Sequence, residues 1–265
     1  MNYKSVSILG CGWLGLAMAK HFVHKEMHVK GSTTSEDKKD LLTSNGIQHY
    51  SIDLSKNLTA EDFFESELLI ISLPPRIRKR SVNEHLTELA QMIPAINSSK
   101  TLKQIVYTSS TSIYSQNLEK LTEDQADMNT DLGQIEQFLR NQIRQLPLGI
   151  IRCGGLMGYD RMPCKYFAGK ANVPDGDNPV NYIHRDDVIL LFNHLISIHT
   201  GDFVYNAVAP VHSIKKEVVA KCTEQTGLEP THFSSENGPY KTISPAKLLD
   251  TGYQFKYPDP ASFPY

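Results

Sequence analysis

The chain has 265 residues, 40% of them hydrophobic and 21% charged, which is enough for one large or two modest domains with a sizeable core. A formal net charge of -2 and a pI near 6.5 give no general attraction to nucleic acid or to an anionic membrane. No stretch reaches the ~18 apolar residues of a membrane span, and the first residues lack the basic-then-apolar layout of a signal peptide. A cytoplasmic monomer or homodimer is expected, without nucleic-acid or membrane partners. Cys11, Cys153, Cys164 and Cys222 are scattered without a C-x-x-C pair, which predicts free thiols rather than a disulfide framework. The ten histidines include no H-E-x-x-H spacing, and no metal site is expected.

The apolar run at 6–9 predicts a first strand, and it leads straight into Gly10-Cys11-Gly12-Trp13-Leu14-Gly15 and a helix-forming stretch at 16–22. Strand, G-x-G-x-x-G and helix in that order form the dinucleotide-binding fingerprint. Gly10 permits the tight turn, Gly12 lets backbone approach a pyrophosphate, and Gly15 lets the helix pack close to the strand. The phosphates then sit at the helix N-terminus, where free amides and the positive end of the dipole favour an anion. Residues 27–34 read as a second strand and its exit. An NAD site places an Asp or Glu about 20 residues after the glycines, for the ribose 2′-hydroxyl. Here the strand tip carries Ser32, Thr33, Thr34 and Ser35. Small hydroxyls tolerate and hydrogen-bond a 2′-phosphate, and Lys38 or Lys39 supplies positive charge. NADP is therefore favoured over NAD. The same residues also suit a helix cap leading into Glu36 and Asp37, and either acid is near enough in sequence to serve a ribose.

A helix over 36–45, closed by Gly46, returns the chain to a third strand at 48–54. Asp53 ends that strand, either as an adenosine contact or as a turn cap. The continuous apolar run at 68–73 fits a strand covered on both faces of a parallel sheet. Its exit through Leu73, Pro74, Pro75 and Arg76 is expected to wall the cofactor or substrate crevice. Residues 81–96 have helical periodicity. An apolar strand at 104–108 then runs into Ser109-Ser110-Thr111-Ser112-Ile113-Tyr114. Hydroxyls at a strand's carboxyl end can donate to a substrate carbonyl or alkoxide oxygen, although serine and threonine also make ordinary polar turns. An amphipathic helix over 132–146 and a strand from 147 to 152 follow. The glycines of 153–158, Gly154 among them, either bring backbone to the cofactor or form an exit turn. Residues 168–180 read as a loop, 188–198 as a helix, 204–208 as a strand, and 214–226 as a helix closed by Gly227. Near the end, 241–249 leads to a short helix.

The ordered set of G-C-G-W-L-G at 10–15, Y-T-S-S-T-S-I-Y at 107–114, I-I-R-C-G-G-L-M-G at 150–158 and N-Y-I-H-R-D-D-V at 181–188 resembles the extended short-chain dehydrogenase/reductase superfamily. The branch is that of the nucleotide-sugar epimerases and dehydratases, and the chain is most similar to its small atypical members. The resemblance implies a doubly wound, parallel α/β sheet of Rossmann type with a small C-terminal substrate lobe. Residues 1–152, together with about 181–209, form the dinucleotide-binding domain; 153–180 and 210–265 form the lobe. It implies that Ser110, with Ser109 beside it, is the catalytic hydroxyl, that Tyr114 borders the substrate, and that Arg161, Asn181 and Tyr182 meet substrate or phosphate. His184 and Asp187 are expected to hold the lobe against a helix start.

The chain departs from the family at one point. The family's tyrosine and lysine, spaced Y-x-x-x-K, fall on Leu132 and Glu136, and between Tyr114 and Tyr159 there is no other tyrosine and no lysine but Lys120. Leucine cannot exchange a proton, so the usual route to hydride transfer at a hydroxyl carbon is missing. Tyr114 moving into the role, Glu136 acting as base, or a substrate group carrying the proton are the three repairs. Against these stands Glu136 as a solvated helix residue. Two functions remain open: an NAD(P)-binding epimerase, dehydratase or reductase acting on a nucleotide-sugar or other small carbonyl or hydroxyl substrate, and a catalytically inactive NAD(P)-binding sensor or regulator.

Overall fold

Apolar β-branched runs become strands and stretches with three-and-four spacing become helices in the computed structural model, which describes residues 3–34, 36–56, 58, 60–74, 81–115 and 119–265. The chain begins β1 (Ser5–Leu9), α1 (Trp13–His24), β2 (His28–Thr33), α2 (Lys39–Thr43), β3 (Gln48–Ser51), β4 (Leu68–Ile71), α3 (Val82–Ser98), β5 (Gln104–Ser110) and α4 (Asp131–Gln142). It continues with β6 (Leu148–Cys153), β7 (Gly155–Met157), α5 (Pro163–Phe167), β8 (Tyr182–His184), α6 (Arg185–Ile198), β9 (Phe203–Ala207), α7 (Lys215–Thr226) and α8 (Ala246–Leu249). Two compact units divide these elements. One comprises residues 1–109, 128–151 and 195–204, the other 110–127, 152–194 and 205–265. The second unit thus takes in 110–127 and 181–194, which the sequence reading attached to the dinucleotide domain.

In the first unit the sheet is built outward from β1. The strand order is β3-β2-β1-β4-β5-β6-β9, and β1 pairs in parallel with both β2 and β4. The chain therefore winds one way from β1 to β3 and the other way from β4 onward, the doubly wound order. The reversal between β1 and β4 is the point where such sheets open a crevice at their carboxyl ends. β4 reads Leu-Leu-Ile-Ile with all four residues buried, as a strand covered on both faces requires. Phe22, Ile70, Ile105, Val106 and Leu139 are fully enclosed in the same core.

Two predicted helices are shorter than their patterns. The stretch from 36 splits into a 3-10 turn, Glu36–Lys38, and α2, with Gly46 at φ 73° closing the exit. Helix α4 stops at Gln142 because Ile143 is already extended (φ -91°, ψ 94°), as the chain turns toward Pro147. α6, by contrast, begins at Arg185, three residues before the expected start.

The second unit contains the parallel pair β7–β8, with Gly155 opposite Tyr182 and Met157 opposite His184. Gly227 ends α7 in the left-handed conformation at φ 67°, as expected of a C-terminal glycine. The expectation of free thiols is corrected here: Cys164 and Cys222 are disulfide-bonded, with Cα atoms 5.6 Å apart. Their 58-residue separation hides the pairing, which arises because α5 packs on α7. Cys11 and Cys153 are free and buried. Among the described residues no helix is long and apolar enough to cross a membrane, and no group of His, Cys, Asp or Glu could hold a metal ion.

Candidate functional site

At the end of β1, Gly10 adopts φ 101°, and a Cβ there would lie 2.8 Å from the backbone oxygen of Ser72. A Cβ on Gly15 would lie 2.1 Å from the Gly10 oxygen. Both glycines are forced by backbone-on-backbone packing. Gly12 is different, because a Cβ there would meet nothing within 4 Å. Its backbone borders open space at the start of α1, whose first turn has no side-chain cap and no acidic residue. The end of β2 clamps the turn: Cys11 N donates to the Ser32 carbonyl at 2.7 Å, and Gly10 N donates to Ser32 Oγ at 2.9 Å. The uncapped amides of a 12-residue helix and a glycine facing open space fit the pyrophosphate of a dinucleotide.

A cavity of about 220 Å³ lies at this turn, within the first unit. The predicted residues Gly10, Gly12, Ser32, Thr33, Thr34, Lys38, Leu73 and Pro74 line it, joined by Cys11, Ile52 and Ser72. The last three were not foreseen. Ile52 and Ser72 follow β3 and β4, and only the strand order brings those exits beside β1. Cys11 stands inside the fingerprint, and burial pushes its thiol up to about 12, so it is not a nucleophile at neutral pH. Ser32 is 2% exposed and its hydroxyl braces Gly10. Leu14 and Gly15 are buried in the helix–strand contact, and neither they nor Trp13 line the cavity. Asp53 accepts from the backbone nitrogen and hydroxyl of Ser55, at 3.1 and 2.7 Å. Those bonds hold its carboxyl below the usual range, and the turn-capping alternative describes its position. Ser35 and Arg76 lie outside the described residues.

The first unit also holds a buried polar pair. Ser109, 5% exposed on β5, donates its hydroxyl to Oε1 of Glu136 on α4 at 2.6 Å, and Glu136 is fully enclosed. The reading of Glu136 as a solvated helix residue is thereby corrected: α4 turns this side chain inward with Leu132 and Ile135. Tyr107, two residues earlier on β5, is also fully buried, and burial followed by the Glu136 charge pushes its hydroxyl up. The Tyr107 hydroxyl has no hydrogen-bond partner among the described residues.

In the second unit, Tyr114 is 3% exposed. Its hydroxyl donates to Oδ1 of Asn206 at 2.6 Å and accepts from Nη1 of Arg152 at 2.9 Å. Arg152, 1% exposed, also donates to the Glu123 carbonyl at 2.7 Å, and the Glu123 carboxylate accepts from Asn206 N at 2.7 Å. Burial raises the Tyr114 hydroxyl, and Arg152 only partly opposes it. A phenol locked in this network is not placed for proton transfer or substrate contact, which corrects the expectation for Tyr114. Ser110 caps a 3-10 turn, accepting from Ser112 N at 3.2 Å, and remains part-exposed. Asn181 spends its amide on the chain at 241–243, donating to the Lys241 carbonyl and accepting from Ile243 N, both at 2.8 Å. Tyr182 packs on Met157, Ala209 and Phe263, and burial pushes it up to about 12. A Cβ on Gly154 would meet the Asn181 backbone oxygen at 2.3 Å, so this glycine is required by packing. Arg161 shares two backbone hydrogen bonds with Gly158. Asp187 accepts from the backbone nitrogens of Lys256 and Tyr257 and from the Tyr253 hydroxyl, tying the C-terminal segment to α6.

No protein-family model matches the chain. It is 30% identical over 274 residues to Protein YeeZ of Escherichia coli K12, covering 98% of this chain and 99% of YeeZ. A candidate NAD-dependent epimerase/dehydratase from Methylobacillus flagellatus superposes with a TM-score of 0.78 at 22% identity, covering 97% of this chain and 95% of the other. The human epimerase family protein SDR39U1 with NADPH superposes with a TM-score of 0.70 at 14% identity, covering 97% and 96%. Another protein of this fold was solved with UDP-glucose and NAD. The fold is thus the one that these solved structures share.

Proposed function

This chain belongs to the family of Protein YeeZ, and we propose that it is an NADP-dependent oxidoreductase or epimerase acting on a nucleotide-sugar or other small carbonyl or hydroxyl substrate. The observation that carries the reading is the cavity at the glycine turn, where Gly12 leaves the start of α1 open and Thr33, Thr34 and Lys38 line the wall. The amides at the start of α1 hold the pyrophosphate, and the two hydroxyls with Lys38 hold a 2′-phosphate. When bound, the dinucleotide supplies hydride-transfer chemistry.

In this reading, proton transfer falls to the Ser109–Glu136 pair. The Ser109 proton is already directed at a carboxylate, 2.6 Å away, so the Ser109 oxygen is left as an acceptor. A substrate hydroxyl gives its proton to Ser109 Oγ, and the Ser109 proton passes to Glu136. The reverse transfers return it. A specific observation favours the second function, a cofactor-binding regulator without turnover: Leu132 stands at the tyrosine position and Tyr114 is spent in its own network.

Fluorescence titration with NADPH and NADH, followed by turnover assays on UDP-sugars, dTDP-sugars and simple carbonyls, separates these functions. The enzyme reading expects saturable NADPH binding and turnover that Glu136→Gln lowers about 10²-fold without changing NADPH affinity. Saturable binding with no turnover on any substrate establishes the regulator. Absence of binding overturns both.

A further inference from the structure

The second unit carries a half-buried cation without a counter-charge. Lys241 donates from its ammonium to the backbone oxygen of Tyr114 at 2.5 Å. An ammonium has three N–H donors and no acceptor. Among the described residues the other two N–H groups meet no partner, and no carboxylate lies within 4 Å. The acids on the neighbouring segment are engaged elsewhere: Glu119 accepts from the Tyr240 hydroxyl, and Glu123 accepts from Asn206 N. Burial pushes the Lys241 ammonium below its ordinary range, with no nearby charge opposing it.

The backbone beneath this side chain is pinned. Asn181 donates its amide to the Lys241 carbonyl and accepts from Ile243 N, both at 2.8 Å. Leu121 N donates to the Thr242 carbonyl at 2.9 Å, and Ser244 N donates to the Leu121 carbonyl at 2.8 Å. Lys120 N donates to Thr242 Oγ1, also at 2.8 Å. The Tyr114 carbonyl that receives the ammonium follows the 3-10 turn Thr111–Ile113, which begins at the part-exposed Ser110. Arg152 makes the contrast within the same unit, because its guanidinium serves the Tyr114 hydroxyl and the Glu123 carbonyl. Lys241 meets the same tyrosine from the backbone side and has donors left over. A partly desolvated charge that lacks an acid and full hydrogen bonding is costly, and an anion brought by a ligand removes that cost.

Resting on the reading of a small-molecule substrate above, we propose that Lys241 binds an oxyanion of that substrate, a phosphoryl or carboxylate group, beside the turn that starts at Ser110. Ionised phosphoryl and carboxylate oxygens only accept, so they match the spare N–H groups and the charge of the ammonium together. A neutral carbonyl or hydroxyl compound matches the donors but not the charge. The substrates are thereby narrowed to anionic ones. Asn181 contributes by holding the lysine in place.

The test is calorimetric titration of the full chain, first saturated with NADPH so that the glycine turn is filled. Two pairs of probes are compared, UDP against uridine and glucuronate against glucose, in the wild type, Lys241→Met and Lys241→Arg, with thermal unfolding to confirm folding. In one pair the wild type is expected to bind the anionic member at least about tenfold more tightly than the neutral one. The pair that shows this identifies the group as phosphoryl or carboxylate. Raised salt weakens the preference. Lys241→Arg keeps it, and in Lys241→Met it falls to within about twofold while the neutral probe and NADPH bind as before. Equal affinity within both pairs in the wild type overturns the proposal, whether or not the variants fold. A preference that survives in folded Lys241→Met overturns it as well. Absence of NADPH binding by the wild type overturns the dinucleotide reading instead, and the same probes titrated without NADPH still judge Lys241.

Discussion

The stretch from Tyr107 to Tyr114 supplies polar side chains to both units, and the two units use them differently. In the first unit the glycine turn leaves Gly12 and the start of α1 against open space, with Thr33, Thr34 and Lys38 around a cavity of about 220 Å³. In the second, the Tyr114 hydroxyl, the Arg152 guanidinium and the Asn206 amide are spent on one another and on the Glu123 carbonyl. A site that takes a ligand keeps donors aimed at where the ligand goes. A network that supports the fold satisfies its own donors, because buried polar atoms left unpaired are costly. Changes in that network should therefore read out as stability, and changes at the turn as affinity.

The largest effect is expected at Arg152. Arg152→Ala leaves Tyr114 and the Glu123 carbonyl without their buried donor and should cost about 3–5 kcal/mol of unfolding free energy in urea. NADPH affinity of the folded fraction should stay within about twofold. A loss below about 1 kcal/mol would mean that the network does not support the second unit. Next is the Cys164–Cys222 crosslink, whose reduction releases a 58-residue separation and should remove about 2–4 kcal/mol. Thermal unfolding with and without dithiothreitol measures this, and the Cys164→Ser/Cys222→Ser double variant should be indifferent to the reductant.

The smallest effect is a pH slope from His184. Burial holds this imidazole down at about 4. Its Nε2 has no hydrogen-bond partner among the described residues, and the Tyr257 ring lies 4.3 Å away. The folded state therefore keeps the ring neutral while the unfolded chain takes up a proton below the ordinary value of 6.5. Stability is full above that value and declines as pH falls toward 4. Urea midpoints at pH 7 and pH 5 should differ more in the wild type than in His184→Gln. Equal differences would remove His184 from the account.

How much of this could be read from the sequence follows from how far apart the partners lie. The glycine turn is local: strand, three glycines and helix sit within about twenty residues, and their roles follow from spacing. Asp53 was half legible, since turn capping is a two-residue relation that stood beside the ligand reading. Ile52 and Ser72 were not legible as cavity residues, because β3 and β4 reach β1 only through the winding order. Glu136 looked like a solvated residue on a helix of polar character, and its burial depends on how α4 turns toward β5. The Tyr114 network needs segments near 114, 123, 152 and 206, and no periodicity announces that convergence. The disulfide was hidden for the same reason.

The central claim, that the turn in the first unit holds a dinucleotide, is tested most directly at Gly12. A Cβ there meets nothing within 4 Å, and φ is negative, at -78°. Gly12→Val should thus fold as the wild type does while placing its side chain where the pyrophosphate must come. Titrated with NADPH by fluorescence, the wild type should saturate. Gly12→Val should lose at least about a hundredfold in affinity at unchanged Tm, the equivalent of about 2.7 kcal/mol. NADPH binding by Gly12→Val as tight as by the wild type would contradict the assignment of this turn.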